Sequence, residues 1–90
     1  MKILASKQVQ DWLVSLPPKT KQHMRAALRD LARDRGDVKA LRGELEGFNR
    51  LRIGGLRIVY SCKAGKILLL QYADTRDVVY ENFLRIIENR

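Results

Sequence analysis

Ninety residues, 46% of them apolar, make one small domain over residues 1–90, with burial enough for a single core and no stretch polar enough to stay disordered. Eighteen Lys and Arg against ten Asp and Glu leave a net charge of +8, which favours nucleic acid or an acidic protein as partner. No apolar run reaches the roughly 18 residues of a membrane span, Met1–Ser6 is too short in apolar residues for a signal peptide, and Cys62 and His23, each the single residue of its kind, leave neither an internal disulfide nor a Cys-rich zinc site.

The single cysteine fits a reducing cytoplasm, and no motif requires a cofactor, a metal or a membrane. The positive charge is uneven. Residues 1–35 hold eight basic and three acidic groups, residues 36–65 six and three, and residues 66–90 four of each.

In chain order, Lys2–Ala5 reads as a short strand and Ser6 as the N-cap of a helix. Val9, Trp12, Leu13 and Leu16 recur at helical spacing, so Trp12 is read as core. Pro17-Pro18 stops that helix, and Pro18 suits the first turn of the next. Met24, Ala27, Leu28, Leu31 and Ala32 form the second buried stripe, which Gly36 is expected to end. His23 falls off that stripe, on a surface carrying Lys7, Lys19, Lys21, Arg25 and Arg29.

Residues 37–47 read as a connection without periodicity. Two strands joined by Gly54-Gly55 follow, a hairpin signal in which Ile53 lies opposite Leu56 and Arg52 opposite Arg57. A turn at Lys63–Lys66 leads to a strand over Ile67–Ala73, apolar on both faces and therefore central. Cys62 is placed on the apolar face of the preceding strand, as packing. Asp74 reads as the N-cap of a last helix from Thr75 to Asn89. The order β-α-α-β-β-β-α predicts an α+β fold, a small antiparallel curled sheet packed on an N-terminal helical hairpin, with a C-terminal helix.

The hairpin carries the chemistry. Arg50, Arg52 and Arg57 share one face, while Leu51, Ile53, Leu56 and Ile58 fill the other. Like charges across a strand pair repel, so such a face is expected to hold an anion. Phosphate matches the planar fork of Arg. Arg76 and Tyr80, four apart on the expected last helix, would extend the cluster to four Arg and one phenol. Taken without the hairpin, the same two residues read as a surface ion pair and amphipathic core. Glu44 and Glu46 lie near the hairpin in an expected loop.

Leu45-Glu46-Gly47-Phe48-Asn49-Arg50-Leu51-Arg52-Ile53-Gly54-Gly55-Leu56-Arg57-Ile58-Val59-Tyr60 resembles the central signature of the RelE/ParE toxin superfamily. Arg76-Asp77-Val78-Val79-Tyr80 matches its closing Arg-x-x-x-Tyr, and Leu16-Pro17-Pro18 before the second helix also fits. The resemblance implies the toxin of a type II toxin–antitoxin pair. RelE-type members are ribosome-dependent mRNA endoribonucleases that need no metal; ParE-type members inhibit DNA gyrase. An inactive homologue that binds antitoxin and operator DNA is the remaining alternative. The implied partners are a cognate antitoxin, mRNA on the ribosome, and operator DNA through the antitoxin complex. The implied catalytic residues are Arg50, Arg52, Arg57, Arg76 and Tyr80. Arg stands here where some members carry Lys, and a guanidinium, always protonated, is a poor general base.

Overall fold

The computed structural model describes residues 1–89. Three helices and five strands run in the order β1 (Lys2–Ala5), α1 (Lys7–Ser15), α2 (Pro18–Leu31), β2 (Asp37–Ala40), β3 (Asn49–Ile53), β4 (Leu56–Lys63), β5 (Ile67–Thr75) and α3 (Val78–Glu88). A single 3-10 turn, Gly43–Leu45, lies between β2 and β3.

The first elements form as their sequence demands. Ser6 caps α1 by accepting from the Val9 backbone N–H through its hydroxyl. Pro18 opens α2, where its missing N–H leaves nothing unpaired. The second helix ends at Leu31, earlier than Gly36 suggested. Asp34 takes the left-handed conformation (φ 64°), and the Asp34 N–H donates to the Leu31 carbonyl. Val9, Met24 and Leu31 are buried against Leu51, Ile58 and Tyr60 of the sheet, and Trp12, Leu13 and Leu16 pack around them. His23 is exposed as expected.

The strands lie in the order β1-β5-β4-β3-β2, a curled and unclosed sheet. Four of them are antiparallel neighbours, while β1 runs parallel to β5, so the sheet is mixed. Residues 37–40, expected as loop, form edge strand β2, pairing Asp37 with Arg52 and Lys39 with Arg50. All four residues of β2 are exposed, so no buried face marked them as a strand.

Gln71 is an extra residue in β5, for Val59 pairs with Tyr72 and Tyr60 with Leu70. This bulge puts Leu70 and Ala73 on the same core face. Just past the end of β1, polar side chains of α1 and its cap serve the bulged backbone. Ser6 Oγ donates to the Gln71 carbonyl at 2.8 Å, and the Gln8 amide clips Ala73 with bonds of 2.7 and 2.9 Å. Cys62, next to the last residue of β4, is exposed rather than packed.

The opposite face of the sheet carries a second core of Leu45, Val59, Val79 and Phe83. Phe48 meets the Phe83 ring edge-on at 5.0 Å, and Tyr72 stacks on it at 6.2 Å. These contacts seat α3 over β4 and β5. The helix begins at Val78 rather than Thr75, because Asp74 and Thr75 continue β5 opposite Arg57 and Leu56.

Candidate phosphate-binding site

The cationic face is built by register. Gly54, with φ 57°, turns the hairpin tightly. Arg52 and Arg57 then become direct partners, as the Gly-Gly spacing predicts. The missed strand extends the pattern, so that Asp37, Arg52, Arg57 and Asp74 form one row across four strands. Beside it, Lys39 faces Arg50. Two like charges at the centre of the row are thus flanked by a carboxylate at each end, which moderates their repulsion.

Above these rows lies a cavity of about 680 Å³. Arg50, Arg52, Arg57 and Lys39 line its floor, and Leu41 and Arg42 its β2 side. Asp77, the N-cap of α3, and Tyr80 in its first turn complete the lining. Five cations against one lining carboxylate make it a site for an anion.

The cations are not equally free. Arg50 is only 12% exposed and donates from Nη1 to Asp37 Oδ1 at 3.2 Å. Arg52 is 55% exposed, and its Nε lies 3.9 Å from Asp37 Oδ2, too far for a hydrogen bond. Arg57 donates from Nη1 to the carbonyls of Gly54 (2.8 Å) and Leu56 (3.1 Å), which steadies the turn. Asp74 accepts from Asn82 Nδ2 at 3.0 Å and, more weakly, from the Tyr72 hydroxyl at 3.4 Å. Burial, and then the Asp74 carboxylate, push the Tyr72 phenol above its ordinary 10.0. The side chains of Lys39 and Arg42 have no hydrogen-bond or ion-pair partner among the described residues.

Of the five residues expected from sequence, Arg50, Arg52, Arg57 and Tyr80 come together. Arg76 does not line the cavity. It sits in the turn before α3 with φ 46°, its N–H donating to the Gly55 carbonyl at 2.7 Å and its side chain exposed. It is therefore no helical neighbour of Tyr80. Glu44 and Glu46 are exposed and lie outside the lining. Lys39, Arg42 and Asp77 were not anticipated. The first two follow from a strand with no buried face, and the third from a later helix start. No group of His, Cys, Asp and Glu suited to a metal ion occurs among the described residues. Nor is any helix among them long and apolar enough to cross a membrane.

No protein-family model and no curated protein matches the chain. Solved structures do. The RelBE2 toxin–antitoxin complex from Mycobacterium tuberculosis matches with a TM-score of 0.65 at 22% identity, over 83% of this chain and 96% of that one. The RelB-RelE antitoxin–toxin complex from Methanococcus jannaschii matches at 0.66 and 19%, over 89% and 98%. The YoeB/ParE toxin from Agrobacterium tumefaciens matches at 0.64 and 21%, over 84% and 99%. The sequence resemblance is thus matched in three dimensions: the chain has the fold of the RelE-like toxins.

Proposed function

We propose that the chain is the toxin of a type II toxin–antitoxin pair, of the RelE kind, and that it cuts mRNA on the ribosome in the cytoplasm. The observation that carries this reading is the convergence of Arg50, Arg52, Arg57 and Tyr80 on one cationic cavity. RNA brings its own nucleophile, the 2′-hydroxyl. What the protein must supply is alignment, proton transfer and stabilisation of a charged transition state. Arg52 and Arg57 bind the scissile phosphate, and Arg50, braced by Asp37, holds the floor in place. Tyr80 orients the substrate or stacks on a base. Arg76, exposed next to Asp77 but outside the lining, is a further phosphate contact in this reading. The two RelB-containing neighbours are complexes with an antitoxin. For this chain the proposed antitoxin presents an acidic segment that folds over the cavity mouth, and operator DNA is contacted only through that complex.

A second reading, a gyrase inhibitor acting by protein binding, draws on the engagement of Arg50 and Arg57 by their own chain. Induction in cells, with mapping of mRNA ends and of gyrase–DNA breaks, separates the two. Cut mRNA on translating ribosomes supports the ribonuclease, and accumulated breaks the inhibitor. No growth arrest at all points to an inactive homologue. Arg52→Ala and Arg57→Ala are each expected to relieve arrest, with cleavage falling on the order of 10²-fold or more; unfolding is expected to change little for Arg52→Ala and by about 1 kcal/mol for Arg57→Ala, which loses its bonds to the turn. Full toxicity in both variants overturns the site.

A further inference from the structure

We infer that Asp77 and Lys39 are the proton-transfer pair of the cavity, Asp77 as general base and Lys39 as general acid. The inference rests on the endoribonuclease reading above. The arginines cannot fill either role, since a guanidinium stays protonated at any working pH. Among the lining groups that leaves Asp77, Tyr80 and Lys39.

Among the described residues Asp77 is the only carboxylate that lines the cavity, and the other acids near it are occupied. Asp37 holds Arg50, and Asp74 accepts from Asn82 and Tyr72. The Asp77 side chain is different. It stands at the N-cap of α3 yet makes no capping bond, and among the described residues no ion pair or hydrogen bond engages it. The residue is exposed and lines the cavity.

Position selects the acid. In-line displacement puts the attacking 2′-oxygen and the departing 5′-oxygen on opposite sides of phosphorus, so base and acid must face each other across it. Tyr80 lies in the first turn of α3, three residues after Asp77 at its N-cap, and lines the cavity from the same element end. Lys39 lies on β2, three strands beyond β5, the strand that Asp77 follows. Three strand spacings of about 4.8 Å make on the order of 14 Å between the backbones, a gap that the two side chains lining one cavity shorten to what a phosphodiester with a hydrogen bond of about 2.8 Å at each end spans. The phosphate then rests on Arg52 and Arg57, between the two groups. Lys39 has no partner of its own, and an ammonium is a donor only.

The step balances without water or metal. The Asp77 carboxylate takes the 2′-hydroxyl proton. The 2′-oxygen forms its bond to phosphorus as the bond to the 5′-oxygen breaks, and the Lys39 ammonium protonates that oxygen. The products are a 2′,3′-cyclic phosphate and a 5′-hydroxyl, and solvent returns the proton from Asp77 to Lys39.

The test uses single-turnover cleavage of mRNA on programmed ribosomes, in parallel with mRNA bearing a 5′-bridging sulfur at the cut site, a leaving group that needs no acid. Lys39→Ala is expected to cut the ordinary mRNA about 10²–10⁴-fold more slowly and to approach the wild-type rate on the sulfur substrate. Asp77→Asn is expected to be slow on both. Both residues are exposed, so the fold should tolerate the changes, and circular dichroism checks it. A wild-type rate for either variant on ordinary mRNA overturns the role of that residue. Equal slowing of Lys39→Ala on both substrates overturns its role as acid, and sulfur rescue of Asp77→Asn overturns the base. A wild-type chain that cuts neither mRNA overturns the endoribonuclease reading itself.

Discussion

Asp37 governs how much of the arginine row a ligand can use. Its carboxylate reaches both Arg50 and Arg52, yet the two contacts differ in kind. The bond to Arg50 joins a nearly buried guanidinium, whereas the approach to Arg52 is long and wet. Asp37 itself is 59% exposed, so solvent screens both. Replacing it with Asn separates the two effects. Loss of the Arg50 partner is expected to cost about 1 kcal/mol, read as a lower urea midpoint. Release of Arg52 is expected to tighten binding of single-stranded RNA by up to about fivefold, the equivalent of about 1 kcal/mol. Lower stability with unchanged RNA binding would make Asp37 a brace for Arg50 alone.

At the level of elements, local signals were readable and tertiary ones were not. The hairpin was legible because Gly54-Gly55 fixes the turn and the flanking alternation fixes the faces, so the Arg52–Arg57 pairing followed directly. Strand β2 was not, since Asp37-Val38-Lys39-Ala40 buries no side chain and owes its form to hydrogen bonds with β3. That cost the sequence reading Lys39, and Arg42 after it. The start of α3 was placed too early because Asp74 resembles a cap, while pairing with Arg57 keeps it in β5. Arg76 was misplaced with it. Asymmetry within the turn can be tested. Gly54 has φ 57°, Gly55 is not in the left-handed region, and a Cβ at either meets open space. Gly54→Ala is expected to destabilise the protein by roughly 1–2 kcal/mol, and Gly55→Ala by less than about 0.5 kcal/mol. Equal costs in urea unfolding would show that the turn does not depend on Gly54.

On the scale of the whole molecule, two cores on opposite faces of one sheet leave a single part of the α3 face to the cations. Phe83 and its aromatic neighbours hold α3 over β4 and β5. The arginines of β3 and the lysine of β2 lie beyond its cover, where the net charge of +8 finds a concave outlet. Binding of single-stranded RNA should therefore weaken steeply with salt. With three to five phosphates neutralised, the logarithmic slope is expected to be roughly −2 to −3.5, and Lys39→Ala or Arg42→Ala should each reduce it by about 0.7. A flat response would favour a protein target.

The parallel pairing of β1 with β5 has a bearing on biosynthesis. Lys2 lies in register with Ile67 and its N–H donates to the Lys66 carbonyl, so the two halves of that ladder leave the translation machinery roughly 3–13 s apart at 5–20 residues per second. Until then the opening segment has no mate, and Val9 behind it has no Leu70 or Ala73 to cover it. A nascent chain thus lacks this ladder until β5 has been made, and the full lining of its cationic cavity until Tyr80 has been made. Any factor that must restrain this protein has that interval in which to be waiting.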